Sequence, residues 1–259
     1  MSSATSSTGS QQTLFHVRVG TPLPTFGNGK DIAFPCIGDD GNTYYCKGDS
    51  RGLPLRAIEW TCHSLAKHVG LSVADYAIVA NDNGETYFGS KSPKNVIAAR
   101  FELENALRLA ANDEVGRPVP WVGQYLSQLF AFDHFVCNPD RDTQNIILDK
   151  DNSPHLIRAI DFADAELLPF PVGKSLIETA PTVRVGKHLR AQYGTHKPIA
   201  LEMLERIGAV PQSVIAGMLG QMPEDWLSED QAGDFVEVWS DGRCEKRINE
   251  LKTLIEHEW

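Results

Sequence analysis

The sequence contains no stretch approaching the roughly 18 consecutive apolar residues that a membrane-spanning helix needs, and its opening, MSSATSSTGSQQ, lacks the basic segment and apolar run of a secretion signal. Neither a membrane span nor export is expected, and the expected compartment is cytoplasmic. Cysteine is sparse: Cys36, Cys46, Cys62, Cys137 and Cys244 form an odd set with no CxxC pair. That spacing speaks against a disulfide framework or a zinc ribbon and fits reduced thiols. Also missing are the GxxxxGK[ST] phosphate loop, a GxGxxG after a strand, the GxSxG elbow and HExxH, so P-loop NTPase, Rossmann and hydrolase classes lack their carriers. Positive charge is short as well: 24 Lys and Arg against 34 Asp and Glu leave a net charge of −10. This disfavours sequence-independent grip on a nucleic-acid backbone and attraction to anionic lipid, so neither nucleic acid nor membrane is expected as a direct partner.

What is present reads as a globular chain whose 259 residues suffice for one large domain or two lobes sharing an interface. Residues 1–12, rich in Ser and Thr, form an expected flexible tail. Over residues 13–91, short apolar runs alternate with turn dipeptides: LFHVRVG, IAFPCIG, DDGN, TYYCKG, SVADYAIVA, NDNG and TYFGSK. A small antiparallel sheet is expected there, with a tight hairpin between AFPCI and TYYCK because Asp40-Gly41 and Asn42 tolerate positive φ. One amphipathic helix is embedded in it, since Leu55, Ile58, Cys62, Leu65, Ala66 and Val69 recur at helical offsets between Pro54 and Gly70. Residues 92–259 read as mainly helical, first VIAARFELENALRLAA and then WVGQYLSQLFAFDHFVC, which is apolar nearly all round and expected to be buried. One hairpin, NIILD and HLIRAID around KDNSP, interrupts the helices, and further helices are expected at about 198–207, 211–220 and 231–257.

The chemistry concentrates between Asp133 and Ala165, DHFVCNPDRDTQNIILDKDNSPHLIRAIDFADA. A buried helix runs into a short polar loop, Asn138 to Asn145; a hairpin follows and its second strand ends at Asp161-Phe162. Phosphoryl transfer needs a carboxylate to orient the attacking hydroxyl, then an amide oxygen and a second carboxylate to hold the magnesium ions on the phosphates. Asp140, Asn145 five residues on, and Asp161 at the end of the next hairpin supply all three. Each acidic loop residue alone would be an ordinary solvated turn position. Their joint spacing, in a helix–loop–hairpin context, carries the argument.

Lys47 ends the strand TYYCK and Glu59 lies twelve residues on in the following helix, an arrangement that can place an ammonium on nucleotide phosphates. A strand-end surface lysine and an exposed helix glutamate are the plainer alternatives. Upstream, Gly27, Asn28 and Gly29 in the turn FGNGK could bring backbone N–H groups to phosphate oxygens, with Lys30 the next candidate lysine. Asp133 could brace the loop or equally face solvent. None of the eight histidines has an evident role: His63 and His68 are five apart, which separates them on a helix, and His134 reads as packing.

The segments KGDS and IEWTCHSLAKHVGLSVADY, the loop FDHFVCNPDRDTQN, the strand end AIDFADAEL and a closing MPEDW segment before an Arg-containing helix together resemble the HipA-like kinases. The resemblance spans about residues 13–259 and implies an α+β, two-lobed, protein-kinase-like fold: a small antiparallel β-sheet N-lobe with one helix (13–91) and a mainly helical C-lobe with the catalytic loop (92–259). It implies Asp140 as catalytic carboxylate, Asn145 and Asp161 as magnesium ligands, Lys47 as phosphate-binding lysine and Glu59 as its partner. ATP and Mg2+ are the implied cofactors, and a Ser/Thr hydroxyl of a protein the implied acceptor. A toxin role, with a cognate antitoxin or partner subunit, is implied by some members. Where such loops usually carry His two residues after the catalytic Asp, this chain has Asp142, and Arg141 is the residue expected to share the bracing. The competing class is a kinase-fold module that binds nucleotide or partner without turnover; a lipid or small-molecule hydroxyl is a third acceptor class.

Overall fold

The computed structural model of the chain describes residues 16–24, 31–97, 100–113, 115–149 and 156–259. The tail 1–12, the turn Phe26–Lys30 with Gly27, Asn28 and Gly29, and the turn KDNSP lie outside the described residues. Five strands come first, β1 (Val17–Pro22), β2 (Ile32–Gly38), β3 (Thr43–Lys47), β4 (Tyr76–Ala80) and β5 (Thr86–Lys91), hydrogen-bonded in the order β1-β2-β3-β5-β4. The expected hairpin β2–β3 forms, with Ile37 opposite Thr43 and Cys36 opposite Tyr44. Its turn holds Gly41 at φ +75, while Asp40 accepts from the Asn42 amide at 3.0 Å and from the Tyr44 hydroxyl at 2.8 Å. The expectation of a wholly antiparallel sheet needs one correction: β1 runs parallel to β4, through Val17↔Val79 and Arg18↔Ala80. The two edge strands thereby satisfy each other's backbone groups.

Helix α1 (Leu55–His68) packs on β5 and, unlike an ordinary amphipathic helix, is buried from Ala57 to Ala66, Glu59 and His63 included. Gly70, at φ +81, ends its C-terminal turn. The chain then returns through Ser72–Ala74, whose backbone pairs with Ala159 (Ala74 N to Ala159 O 3.0 Å, Ala159 N to Ser72 O 3.1 Å). That pairing brings the chain just after α1 alongside the strand that leads to Asp161.

The remaining elements are β6 (Val96–Ile97), α2 (Arg100–Ala110), α3 (Trp121–Phe135), β7 (Ile146–Asp149), β8 (Leu156–Ala159), α4 (Pro181–Tyr193), α5 (Lys197–Gly208), α6 (Gln212–Leu219), α7 (Glu229–Glu237) and α8 (Arg243–Glu258). Strand β6 joins the anticipated hairpin to make a sheet β6-β7-β8. The expected helix 231–257 is two, broken where Gly242 adopts φ +87 and the Asp241 carboxylate accepts from the Arg243 amide at 3.0 Å. Helix α4 is an addition: its TVRV start alternates like a strand, and it is Pro181 in its first turn and burial of Thr182, Val183, Gly186 and Leu189 that fix it as helix.

One apolar core runs from Leu55, Ile58 and Leu65 through Leu129, Phe130 and Phe132 of α3 to Phe162, Met203 and Ile255. A smaller one, Cys36, Tyr44, Cys46 and Val79, fills the inside of the strand ring. Each such side chain withdrawn from water contributes about 1.5–3 kcal/mol before the entropy cost of ordering it. All five cysteines are free and buried. No helix among the described residues is long and apolar enough to cross a membrane.

Candidate active site

At the end of β3 the Lys47 side chain turns inward and is only 4% exposed. Its Nζ donates to Glu59 Oε1 at 2.5 Å and to Asp161 Oδ1 at 2.7 Å, joining strand, helix α1 and the segment after β8 at one ammonium. Burial alone would lower the lysine pKa; the Glu59 and Asp161 carboxylates outweigh it and hold Lys47 above its ordinary value, so it stays charged. Burial alone would raise Glu59, yet Lys47 beside it and His63 behind it keep it well below the usual carboxylate range. Neither plainer alternative survives: Lys47 is not a surface lysine, and Glu59 has no exposure at all.

Glu59 Oε1 also accepts from the Phe162 amide at 3.0 Å, so one carboxylate fixes both the lysine and the backbone next to Asp161. Asp161 itself sits at φ +60, a left-handed conformation uncommon outside glycine, and its Oδ1 accepts from the Ala163 amide at 3.2 Å. The Phe162 ring is fully buried between Phe132 (5.7 Å between centroids) and His63 (5.1 Å). His63 therefore does have a place. It lies one helical turn after Glu59, with Nδ1 2.9 Å from the Glu59 carbonyl and 3.3 Å from Glu59 Oε2. Its spacing of four from Glu59, not its spacing from His68, was the signal for it.

The loop Asn138–Asn145 is organised around Arg141, which is fully buried. Its guanidinium donates from Nε to Asp133 Oδ2 at 2.9 Å and from Nη2 to Asp133 Oδ1 at 3.0 Å. Nη1 donates to the Asn145 carbonyl at 2.8 Å and to the Ile160 carbonyl, the residue preceding Asp161. The cation also lies over the Phe162 ring, 4.6 Å from its centroid. Asp133 is not solvent-facing: it is completely buried and takes a further hydrogen bond from Asn138 Nδ2 at 2.9 Å. Burial keeps Asp133 above the usual carboxylate value, while Asp133 outweighs burial and raises Arg141, so the arginine stays charged. Asp142 does different work from Arg141. Its Oδ1 caps the single 3-10 turn Thr143–Asn145, accepting from the Gln144 and Asn145 amides at 2.7 and 3.2 Å. Thr182, at the start of α4, locks the loop from outside, accepting from the Arg141 amide at 2.9 Å and donating to the Asn138 carbonyl at 2.6 Å.

Asp140 therefore stands on a braced loop with its side chain exposed. Asn145 Nδ2 donates to the Asp140 carbonyl at 2.9 Å, which leaves the amide oxygen as the atom free to face a cation. The Asn145 carbonyl accepts from the Ile160 amide at 3.1 Å, so this loop and the approach to Asp161 are directly hydrogen-bonded. Lys47, Glu59 and Asp161 thus meet at one point, Asp140 and Asn145 meet at a second, and Arg141 ties the two together. Among the described residues no three His, Cys, Asp or Glu side chains form a ready-made metal cage. The donors present are an amide oxygen and a carboxylate, hard oxygens of the kind that magnesium takes alongside phosphates and water.

An α+β fold that gathers a strand lysine, a helix glutamate and a strand-end aspartate in this way belongs to the kinase-like class. Similarity to solved structures bears out that fold. The chain aligns with the Helicobacter pylori proinflammatory kinase CtkA at 13% identity and a TM-score of 0.58, covering 92% of this chain and 96% of that one. It aligns with a chain of the Shewanella oneidensis toxin–antitoxin complex of HipA, HipB and operator DNA at 17% identity and a TM-score of 0.51, covering 90% of this chain and 65% of that one. Among curated protein sequences none matches. The family model described as HipA-like kinase matches residues 23–252, and the chain belongs to that family.

Proposed function

We propose that this protein is an ATP- and Mg2+-dependent kinase that transfers the γ-phosphoryl group to a Ser or Thr hydroxyl of a protein, with residues 13–91 and 92–259 as its two lobes. The observation that carries this is the buried Lys47 ammonium, held by Glu59 and by Asp161 from the far side of the sequence, with Asp140 and Asn145 on the loop braced against the same segment. Lys47 is assigned to the phosphate oxygens and Glu59 to its orientation. Asp140 aligns the acceptor hydroxyl and takes its proton as the transition state is approached. The Asn145 amide oxygen and the Asp161 carboxylate, whose side chain is 39% exposed, are the groups that would hold metal. Magnesium, when bound there, neutralises charge on the phosphates. Gly27, Asn28 and Gly29 are assigned to the phosphates, through their backbone N–H groups. The excess of acidic residues disfavours nucleic acid and anionic lipid as partners, and a cytoplasmic setting is proposed from the odd set of cysteines with no CxxC pair. A toxin role with a cognate antitoxin is proposed by analogy with the Shewanella complex, and on that alone.

The test is transfer from labelled ATP to proteins of a cell lysate, followed by hydrolysis and identification of the labelled amino acid. Label on Ser or Thr, cut about 10²-fold or more in Lys47→Met, is expected. Label on lipid or a small molecule would reassign the acceptor. Binding of Mg-ATP with no transfer to anything would leave the protein as a nucleotide-binding module.

A further inference from the structure

Between β3 and α1 the chain makes a tight excursion, Gly48–Pro54, that none of the assigned roles uses. It is closed on itself by the Leu53 amide donating to the Ser50 carbonyl at 3.0 Å, and Arg51 and Gly52 at its tip have φ of +58 and +68. A left-handed arginine is uncommon, because its Cβ crowds the backbone, so something has to hold it. Its guanidinium forks: Nη1 donates to Asp164 Oδ1 at 2.7 Å and Nη2 to Asp31 Oδ2 at 3.0 Å. Ser50 Oγ adds a bond to Asp31 Oδ1 at 3.3 Å. Asp164 is three residues past Asp161, and Asp31 is the residue immediately before β2. The Asp31 and Asp164 side chains are 6% and 18% exposed and that of Arg51 37%, so a partly solvated cation meets carboxylates with little water of their own.

We propose that Arg51 is a positioning residue: by bridging Asp31 and Asp164 it latches the segment after Asp161 to the start of β2 and so keeps the Asp161 carboxylate aimed into the site. On the inner side that segment is fixed by Glu59, through the Phe162 amide. On the outer side Arg51 holds it at Asp164, so both fixings fall within three residues after Asp161, which keeps a conformation it does not favour. A planar two-pronged donor directs a separate nitrogen at each of two carboxylates on separate segments; a lysine there would have to reach both from a single nitrogen, without that fixed fork. The role of the latch in loading nucleotide and metal rests on the kinase reading above. Its mechanical part does not.

Two measurements on the full chain separate these. Without any ligand, hydrogen exchange at the Phe162 and Ala163 amides should speed up about fivefold in Arg51→Met and in Asp164→Asn, and no further in the double variant, because both break one latch. Arg51→Gly is the sharper case. It relieves the left-handed backbone, so a purely local role for Arg51 predicts unchanged or slower exchange, whereas the latch predicts faster. With ADP present, the Mg2+ concentration that gives half of the rise in melting temperature should increase about fivefold or more in Arg51→Met, with Arg51→Lys in between. Unchanged exchange in Arg51→Gly, or additive effects in the double variant, would overturn the latch. Faster exchange with an unshifted Mg2+ midpoint would overturn its part in loading, and no nucleotide effect on the parent protein at all would count against the kinase reading instead.

Discussion

Arg141→Met removes the side chain that joins the loop to the segment carrying Asp161, leaving between them the backbone bond from the Ile160 amide to the Asn145 carbonyl. Arg141 and Asp133 are both completely buried, and the variant leaves Asp133 with Asn138 as its remaining hydrogen-bond donor. The Ile160 carbonyl also loses its Arg141 donor. Breaking a buried ion pair from one side costs about 3–5 kcal/mol, because a desolvated charge is left uncompensated. Domains have only about 5–15 kcal/mol in total, so the urea midpoint should fall steeply. The pH dependence carries a sign. Burial already raises Asp133, and without Arg141 only the Asn138 hydrogen bond opposes it; a raised folded-state pKa means stability that is present at low pH and lost as pH rises through that value. The deficit of Arg141→Met should therefore be largest at pH 7 and shrink on acidification toward pH 5. Arg141→Met with Asp133→Leu, which removes both charges, should recover at least half of the loss. A deficit below about 1 kcal/mol, or a double variant no more stable than the single, would refute the claim that this pair holds the loop.

Glu59→Gln should cost about 3 kcal/mol at pH 7 by uncoupling Lys47. Since burial is overcome by Lys47 and the folded-state pKa of Glu59 is depressed, its contribution exists above the unfolded value and is lost progressively as pH falls from about 4 through the depressed folded value, a range over which parent and variant denaturation midpoints should draw together. Asp161→Ala should abolish most of the metal-dependent part of the thermal shift produced by ATP, measured with and without Mg2+. A full shift in that variant would mean that Asp161 is not a metal ligand.

Local chemistry made much of this molecule legible from its residues. The hairpin turn at Gly41, the helix after Pro54, and the two expected helices at α5 and α6 each follow from signals within a dozen residues. The pairing of Lys47 with Glu59 was legible for the same reason, being a strand end and the next helix. What the sequence hides is reached only across the fold. Asp161 lies 114 residues from the lysine it touches, and the parallel pairing of β1 with β4 has no local pattern. Asp133 as a possible loop brace and Arg141 as sharing the bracing were legible separately, but nothing local showed that the two, eight residues apart, would be buried as one ion pair. The signal for His63 was its spacing of four from Glu59, and it was obscured because the burial of that pair depends on the Phe162 ring packed against it from 99 residues on.

The central claim is that Asp140 serves transfer and not binding, and one variant separates the two. Asp140→Asn keeps the loop, since Asn145 bonds the Asp140 backbone carbonyl and Arg141 and Asp142 make the remaining braces. A carboxylate that acts only as the transition state is approached can be lost without weakening the ground-state complex. Titration of Asp140→Asn with ATP and Mg2+ should give affinity equal to the parent or tighter, one negative charge near the phosphates having gone, while phosphate transfer from labelled ATP becomes undetectable. Transfer by Asp140→Asn at the rate of the parent would contradict the account.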